Sequence, residues 1–247
     1  MTKNMKPPTS RLYEADWPPA PQPYQNDPPP KLAAPSTANR KINRHSREHC
    51  TGQVTVGPGA GRVVHLESHL ELCWCLMLMF RASTADLREQ VKFDWEDEIG
   101  EMHKHWFDFV VTEEDGSRIA YSVKPQVRVS PRFLSEMSQI AHQARKCGFV
   151  DDVRLLTDEI LDRIDLFNAK LFFAYRRAEP EADLLAHEIH EAMSGVCKLG
   201  ELVACFDEAG DGFRAFVRLI QSGHLKLVRH EQISLNSNVF KAKQVTK

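Results

Sequence analysis

Long apolar runs are missing from this chain of 247 residues. The longest, residues 72–80, falls well short of the ~18–20 residues a membrane span needs, so no membrane partner is expected. An apolar signal core near the N-terminus is also missing, which makes the cytoplasm the expected location. Bulk charge of one sign is absent: 32 basic against 34 acidic residues leave a formal net charge of −2 and a pI of about 6.6. That excludes a protein that grips nucleic acid by overall positive charge, though not one with a local basic groove. Six cysteines without framework spacing read as reduced thiols and small core fillers, Cys73 and Cys75 among them. His45, His49 and Cys50 cluster but lack the second ligand pair that structural zinc requires. Gly57-Pro58-Gly59-Ala60-Gly61 has no Lys-Ser/Thr after it and so is no phosphate loop. Internal repeats are absent.

Hydrophobic residues at 42% and charged residues at 27% are enough for a buried core in one large or two small domains. Ten of the 14 prolines lie within residues 1–35, where neither helix nor central strand can persist. A basic stretch follows over residues 40–49 and reads as a solvated tail or a DNA-touching arm, with the tail ending at the glycine cluster. The pattern then predicts a helix over 65–80, with Glu71 embedded in its apolar part and Glu67 one turn earlier on the same face. Strands are expected over 87–95, 106–112 and 118–124, the last two joined by an Asp115-Gly116 hairpin turn. Pro131 opens a helix that Gly148 stops, and residues 153–157 read as a short buried strand. This order implies an α/β domain.

Beyond Pro180 the texture changes. Helical segments are expected over 183–194, 199–208 and 213–222, separated by Gly195 and by Gly210-Asp211-Gly212. Two small strands follow, the outline of a winged helix-turn-helix. Arg214 and Arg218 on the third helix, with Lys226 after it, are the residues such a module turns toward DNA phosphates and base edges.

Three ionisable groups stand out. Glu71 lies on the first core helix, Asp108 within Trp106-Phe107-Asp108-Phe109, and Lys124 at the end of Tyr121-Ser122-Val123-Lys124. Strand alternation places Ser122 and Lys124 on one face and turns Phe107 and Phe109 away from Asp108. Paired buried acids are costly unless a cation neutralises them, and hard Mg²⁺ or Mn²⁺ is the usual solution. Such a site suits phosphodiester hydrolysis, with the lysine placing or deprotonating a water; a structural ion pair is the plainer alternative. His103 and His105, just before the Asp108 strand, read as exposed loop histidines.

The stretch from Gly61 through Glu71 to Leu72, then Asp86-Leu87-Arg88-Glu89-Gln90, Asp108-Phe109-Val110-Val111, Asp115-Gly116 and Ala120-Tyr121-Ser122-Val123-Lys124-Pro125, resembles in order and spacing the TnsA family. Leu155-Leu156-Thr157-Asp158-Glu159 is similar to the strand and turn that follow. Members of that family are endonuclease subunits of two-component transposases.

The resemblance implies an α/β fold: a restriction-endonuclease-like mixed sheet flanked by helices (57–178), with a C-terminal winged-helix domain (179–247) and a tail (1–56) before it. It implies cleavage of the non-transferred strand at the 5′ ends of a transposon. The partners would be transposon-end DNA, a DDE-type transposase subunit and an AAA+ ATPase regulator. It assigns Glu71 and Asp108 to the metal, with the Val123 carbonyl as an extra ligand, and Lys124 as the catalytic lysine. Ser122 stands where the family carries Gln or Glu; a hydroxyl is shorter and uncharged, yet can hold a metal-bound water. Two rival readings remain: a cleavage-inactive adaptor between transposase and regulator, and a stand-alone restriction or repair nuclease.

Overall fold

The computed structural model describes residues 31–40, 51–57 and 59–242. The proline run up to Pro30, and His45, His49 and Cys50, lie outside the described residues.

Two strands, β1 (Gly52–Val56) and β2 (Arg62–Leu66), form an antiparallel hairpin. The turn closes tightly at Gly61: its φ is +68°, and a Cβ there would meet the Val56 carbonyl oxygen at 2.6 Å. The expected tail therefore gives way to paired structure before residue 57. The expected helix likewise starts later, because β2 takes residues 62–66. Helix α1 (His69–Met79) is capped by Ser68, whose hydroxyl accepts the Glu71 N–H. Glu67 consequently precedes the cap and is not a turn of helix below Glu71.

A long antiparallel pair follows, β3 (Thr84–Glu96) and β4 (Met102–Glu113), turned by Asp97, whose carboxylate accepts the N–H groups of Ile99 and Glu101. Strand β5 (Arg118–Val123) returns through the Asp115-Gly116 turn, as expected. Helix α2 (Pro131–Lys146), with Ser130 as its cap and Pro131 in its first turn, crosses to β6 (Asp152–Leu156), which pairs parallel with β5. The sheet order is β3-β4-β5-β6, mixed in direction. One sheet face packs under α1 and the β1–β2 hairpin, through Trp74, Leu78, Leu87, Phe109, Val111 and Tyr121. The other packs under α2, through Val91, Phe93, Phe107, Val110, Met137 and Ile140. Cys73 and Cys75 are buried, as expected.

Helix α3 (Arg163–Tyr175) lies against α1, with Phe80 and Phe172 edge to face at 5.8 Å. Its Leu171, Phe172 and Tyr175 also join the C-terminal core. The described residues from Ala33 onward form one compact unit. The C-terminal elements are α4 (Pro180–Ala192), β7 (Val196–Lys198), α5 (Leu199–Val203), α6 (Ala209–Gln221), β8 (Leu225–Leu227) and β9 (Asn238–Lys241), with sheet order β7-β9-β8. Gly210-Asp211-Gly212 does not separate two helices but lies in the first turn of α6. Gly212 is held there by the Phe206 ring, 2.8 Å from where a Cβ would sit. No described helix is long and apolar enough to cross a membrane.

The N-terminal segment is part of this body. Ala34 bridges to Arg62, and the Ser36 hydroxyl donates to Glu89 at 2.5 Å. Glu89 is fully enclosed and paired with Arg62 at 2.6 Å, which also donates to Thr37 and to the Leu87 carbonyl. Removing one partner of an enclosed ion pair leaves a charge without solvent or counter-ion. Arg62→Met is therefore expected to lose about 3–5 kcal/mol in urea unfolding. The double variant Arg62→Met/Glu89→Leu should recover most of that loss, since neither charge remains.

Candidate functional site

Asp108 lies midway along β4, where the regular alternation of side chains breaks. Phe109 packs on the α1 side of the sheet and Phe107 on the α2 side, both fully buried. The expectation that they share a face is corrected. The cause lies across the ladder: Gln90 of β3 has a φ of +50°, a left-handed conformation that costs a non-glycine residue about 1 kcal/mol or more. On β3 too the buried positions change side here, from Leu87 under α1 to Val91 and Phe93 under α2.

The pairing of β4 with β5 ends at Phe109 and Tyr121. Beyond it the Asp108 side chain joins the strands, its Oδ2 accepting the Val123 N–H at 2.6 Å. Oδ1 accepts the Gln90 side-chain N–H at 3.2 Å. In an extended strand a residue's N–H and C=O leave on one side. The Lys124 N–H goes to the Leu156 carbonyl of β6, so the Val123 carbonyl faces β4 and Asp108.

Glu71 reaches the same region from the first turn of α1. The Ser68 hydroxyl donates to its Oε1 and the Glu67 N–H to its Oε2, each at 2.8 Å. These bonds satisfy a carboxylate in an apolar helix, and the Ser68-x-x-Glu71 spacing of a helix-capping pair is the sequence mark of them. Burial still holds the Glu71 carboxyl above its ordinary range. Asp108 is pushed up to about 7, by burial first and by the Glu71 charge second, against the pull of the Val123 and Gln90 donors. Among the described residues no cationic side chain lies within ion-pair distance of either acid. The guanidinium whose charge acts on both, Arg40, pairs with Glu67 at 2.5 Å and donates to the Gln90 Oε1 at 2.7 Å. Two carboxylates without a counter-ion, beside a backbone carbonyl, make a donor set that suits a hard divalent cation.

Ser122 and Lys124 share the α2 side, as alternation requires. The Ser122 hydroxyl is buried against His105 Nε2, at 3.2 Å, and Met137. The Lys124 ammonium rests over the Phe133 ring at 4.3 Å and pairs with no acid among the described residues. The structure thus joins Asp108 and Val123, with Glu71 on the α1 side near enough for its charge to raise Asp108, and leaves Ser122 and Lys124 on their own contacts on the α2 side. His103 and His105 lie on β4 and not in a loop. His103 bonds Asp97 at 2.8 Å, and burial together with Arg40 lowers His105 to about 4.

Arg214 and Arg218 do not face outward. Arg214 pairs with Glu179 and Asp211; Arg218, mostly buried, pairs with Glu179 and Asp183 and donates to the Tyr175 carbonyl. They clamp α6 to the start of α4, because the i, i+4 face they share is the one that meets it. Lys226 is exposed.

Arg40 and Gln90 are the site residues that sequence reasoning missed. Arg40 falls in the segment read as tail. In the sequence Gln90 is only the last residue of Asp86-Leu87-Arg88-Glu89-Gln90, with no role given to it. Two further acidic groups with a histidine, Asp97–Glu101–His103 and Asp162–Asp165–His230, hold turn and cap roles: Asp97 closes the β3–β4 turn and Asp162 caps α3. Neither a scan against known protein families nor a comparison with curated proteins returns a match.

From pH 4 to 7 the folded chain keeps a proton on Asp108 that the unfolded chain has released. The contribution of Asp108 to stability therefore falls as pH rises through that window and levels off above it, against the opposite slope of His105, so the comparison with a variant isolates it. Asp108→Asn removes this fall. Because a tenfold change in proton affinity is about 1.4 kcal/mol, the variant should be on the order of 1–3 kcal/mol more stable than wild type at pH 8 and little changed at pH 4. Urea unfolding at the two pH values measures it.

Proposed function

We propose that this chain is a metal-dependent DNA endonuclease, the TnsA-like subunit of a two-component transposase, hydrolysing the phosphodiester at the 5′ ends of a transposon. The observation that carries this reading is the Glu71–Asp108 pair, two acids from different elements, with Asp108 joining β4 to β5 at the end of their ladder and raised by the Glu71 charge. The element order around it supports a restriction-endonuclease-like core: a helix acid, a strand acid, a strand ending in Lys124, then a crossover helix into a parallel strand. The C-terminal order of helix, strand, two helices and two strands, with β9 central in its sheet, supports the winged-helix reading.

Glu71, Asp108 and the Val123 carbonyl would hold Mg²⁺ or Mn²⁺. Bound there, such an ion supplies an acidified water and neutralises charge on the scissile phosphate. The Val123 N–H donor ties one oxygen of the Asp108 carboxylate to β5, leaving its remaining lone pairs for the ion. Lys124, on a flexible stem just past the strand end, would leave its contact with the Phe133 ring to orient the attacking water. Lys226, exposed in the C-terminal part, would meet the phosphate backbone. Arg214 and Arg218 are not carried into this role. The C-terminal part would dock the DDE-type transposase and the AAA+ regulator.

One observation favours the adaptor reading: Ser122 sits against Met137 and His105 and adds nothing to the acid pair. Calorimetric titration with Mn²⁺ separates the two. Binding by wild type that Asp108→Ala abolishes supports the nuclease; no heat above background from either favours the adaptor. With transposase, regulator and transposon-end DNA present, Asp108→Ala and Lys124→Ala should each lower strand nicking at least about 100-fold. Persistent nicking by Asp108→Ala would overturn the assignment.

A further inference from the structure

The endonuclease reading does not use the most constrained residue near the acids. Gln90 is fully buried, holds a left-handed backbone in the middle of a strand, and has its carbonyl and both ends of its side-chain amide engaged. Its carbonyl accepts the Asn39 N–H at 3.1 Å. Its side-chain oxygen accepts the Arg40 Nε–H at 2.7 Å, so its side-chain nitrogen is the atom that faces Asp108, at 3.2 Å. An amide has one accepting and one donating end. With Arg40 fixed on the first by Glu67, the second has one direction to point.

We infer that Gln90 is a positioning residue: its amide, oriented by Arg40, aims the Asp108 carboxylate so that its free lone pairs meet a divalent cation together with Glu71. The inference rests on the endonuclease reading above. Gln90 touches neither ion nor substrate and acts through Asp108, as residues behind metal ligands commonly do, where their loss costs about 10–100-fold in metal affinity. The strained backbone has the same logic. In a regular strand a residue opposite Asp108 would pair through its main chain, whereas the left-handed turn at Gln90 brings the side-chain amide onto the carboxylate.

The test is Mn²⁺ binding by the full chain, followed by calorimetry and by electron paramagnetic resonance of the bound ion, for wild type, Gln90→Met and Gln90→Asn. Methionine keeps the length and loses the donor. Asparagine keeps the amide but is one methylene too short, and it tolerates a left-handed backbone well enough to keep the chain folded if methionine does not. The expected result is affinity at least about tenfold weaker in a variant that folds like wild type, with a changed spectrum of the bound ion at saturation. Wild-type affinity and an unchanged spectrum in a folded variant would overturn the positioning role while leaving the metal reading intact. No Mn²⁺ binding by wild type would overturn the metal reading and this inference with it.

Discussion

A carboxylate wedged between two strands is the constraint around which the rest of this site is arranged. Asp108 takes the place of main-chain pairing between β4 and β5 just where that ladder ends, and it accepts from the backbone of one neighbour and the side chain of the other. A buried acid without partners would cost several kcal/mol or keep its proton, and here the partners are only neutral donors. Neutral donors lower the cost without cancelling the charge. Glu71 nearby, itself held by an N–H and a hydroxyl, adds to the deficit. The fold therefore gives up stability to keep two acids together, an arrangement that packing alone has no use for.

The N-terminal segment belongs to the same arrangement. Strand β3 is an edge, and an uncovered edge invites pairing with other chains. Residues 34–40 lie along it and along β2, not as a regular strand but through particular bonds: Ala34 with the hairpin, Ser36 with Glu89, Asn39 with Gln90 and Lys92, and Arg40 with Gln90 and Glu67. Covering the edge and ordering the site are thus the work of one short segment. Trp106 extends it, its ring lying under the Arg40 guanidinium at 5.5 Å, so the cation is held from three sides.

What was legible in the sequence follows from the range of each interaction. Asp115-Gly116, Ser130-Pro131 and Gly148 act on their own neighbours, and each turn or helix end falls where those residues put it. Glu71 and Asp108 were visible because acids in apolar surroundings need an explanation wherever they lie. The remainder depends on contacts between distant parts of the chain. Nothing in a basic stretch distinguishes Arg40, bonded some fifty residues away, from a solvated arginine. The spacing of Arg214 and Arg218 says that they share a face but not that the face meets Glu179 and Asp183. Phe107 and Phe109 were misplaced because alternation assumes a regular strand, and a glutamine, unlike a glycine, gives no warning of a left-handed turn.

Ser122 has a consequence for how such a site would work. With a carboxylate two residues before the lysine, three acids would share the task of attracting a cation, and the loss of fine alignment in any one would be cushioned by the others. Here the hydroxyl is turned to His105 and Met137, and only Glu71 and Asp108 remain. Two acids would neutralise a divalent charge without excess, so affinity would depend more steeply on how each is aimed and on whether it is ionised. That places more weight on the groups behind the ligands: the Ser68 cap for Glu71, and Val123 and Gln90 for Asp108. A site with fewer charges has to be a more rigid one, and the bonds that tie Gln90 to Arg40, and Arg40 to Glu67, supply rigidity where Ser122 withholds charge.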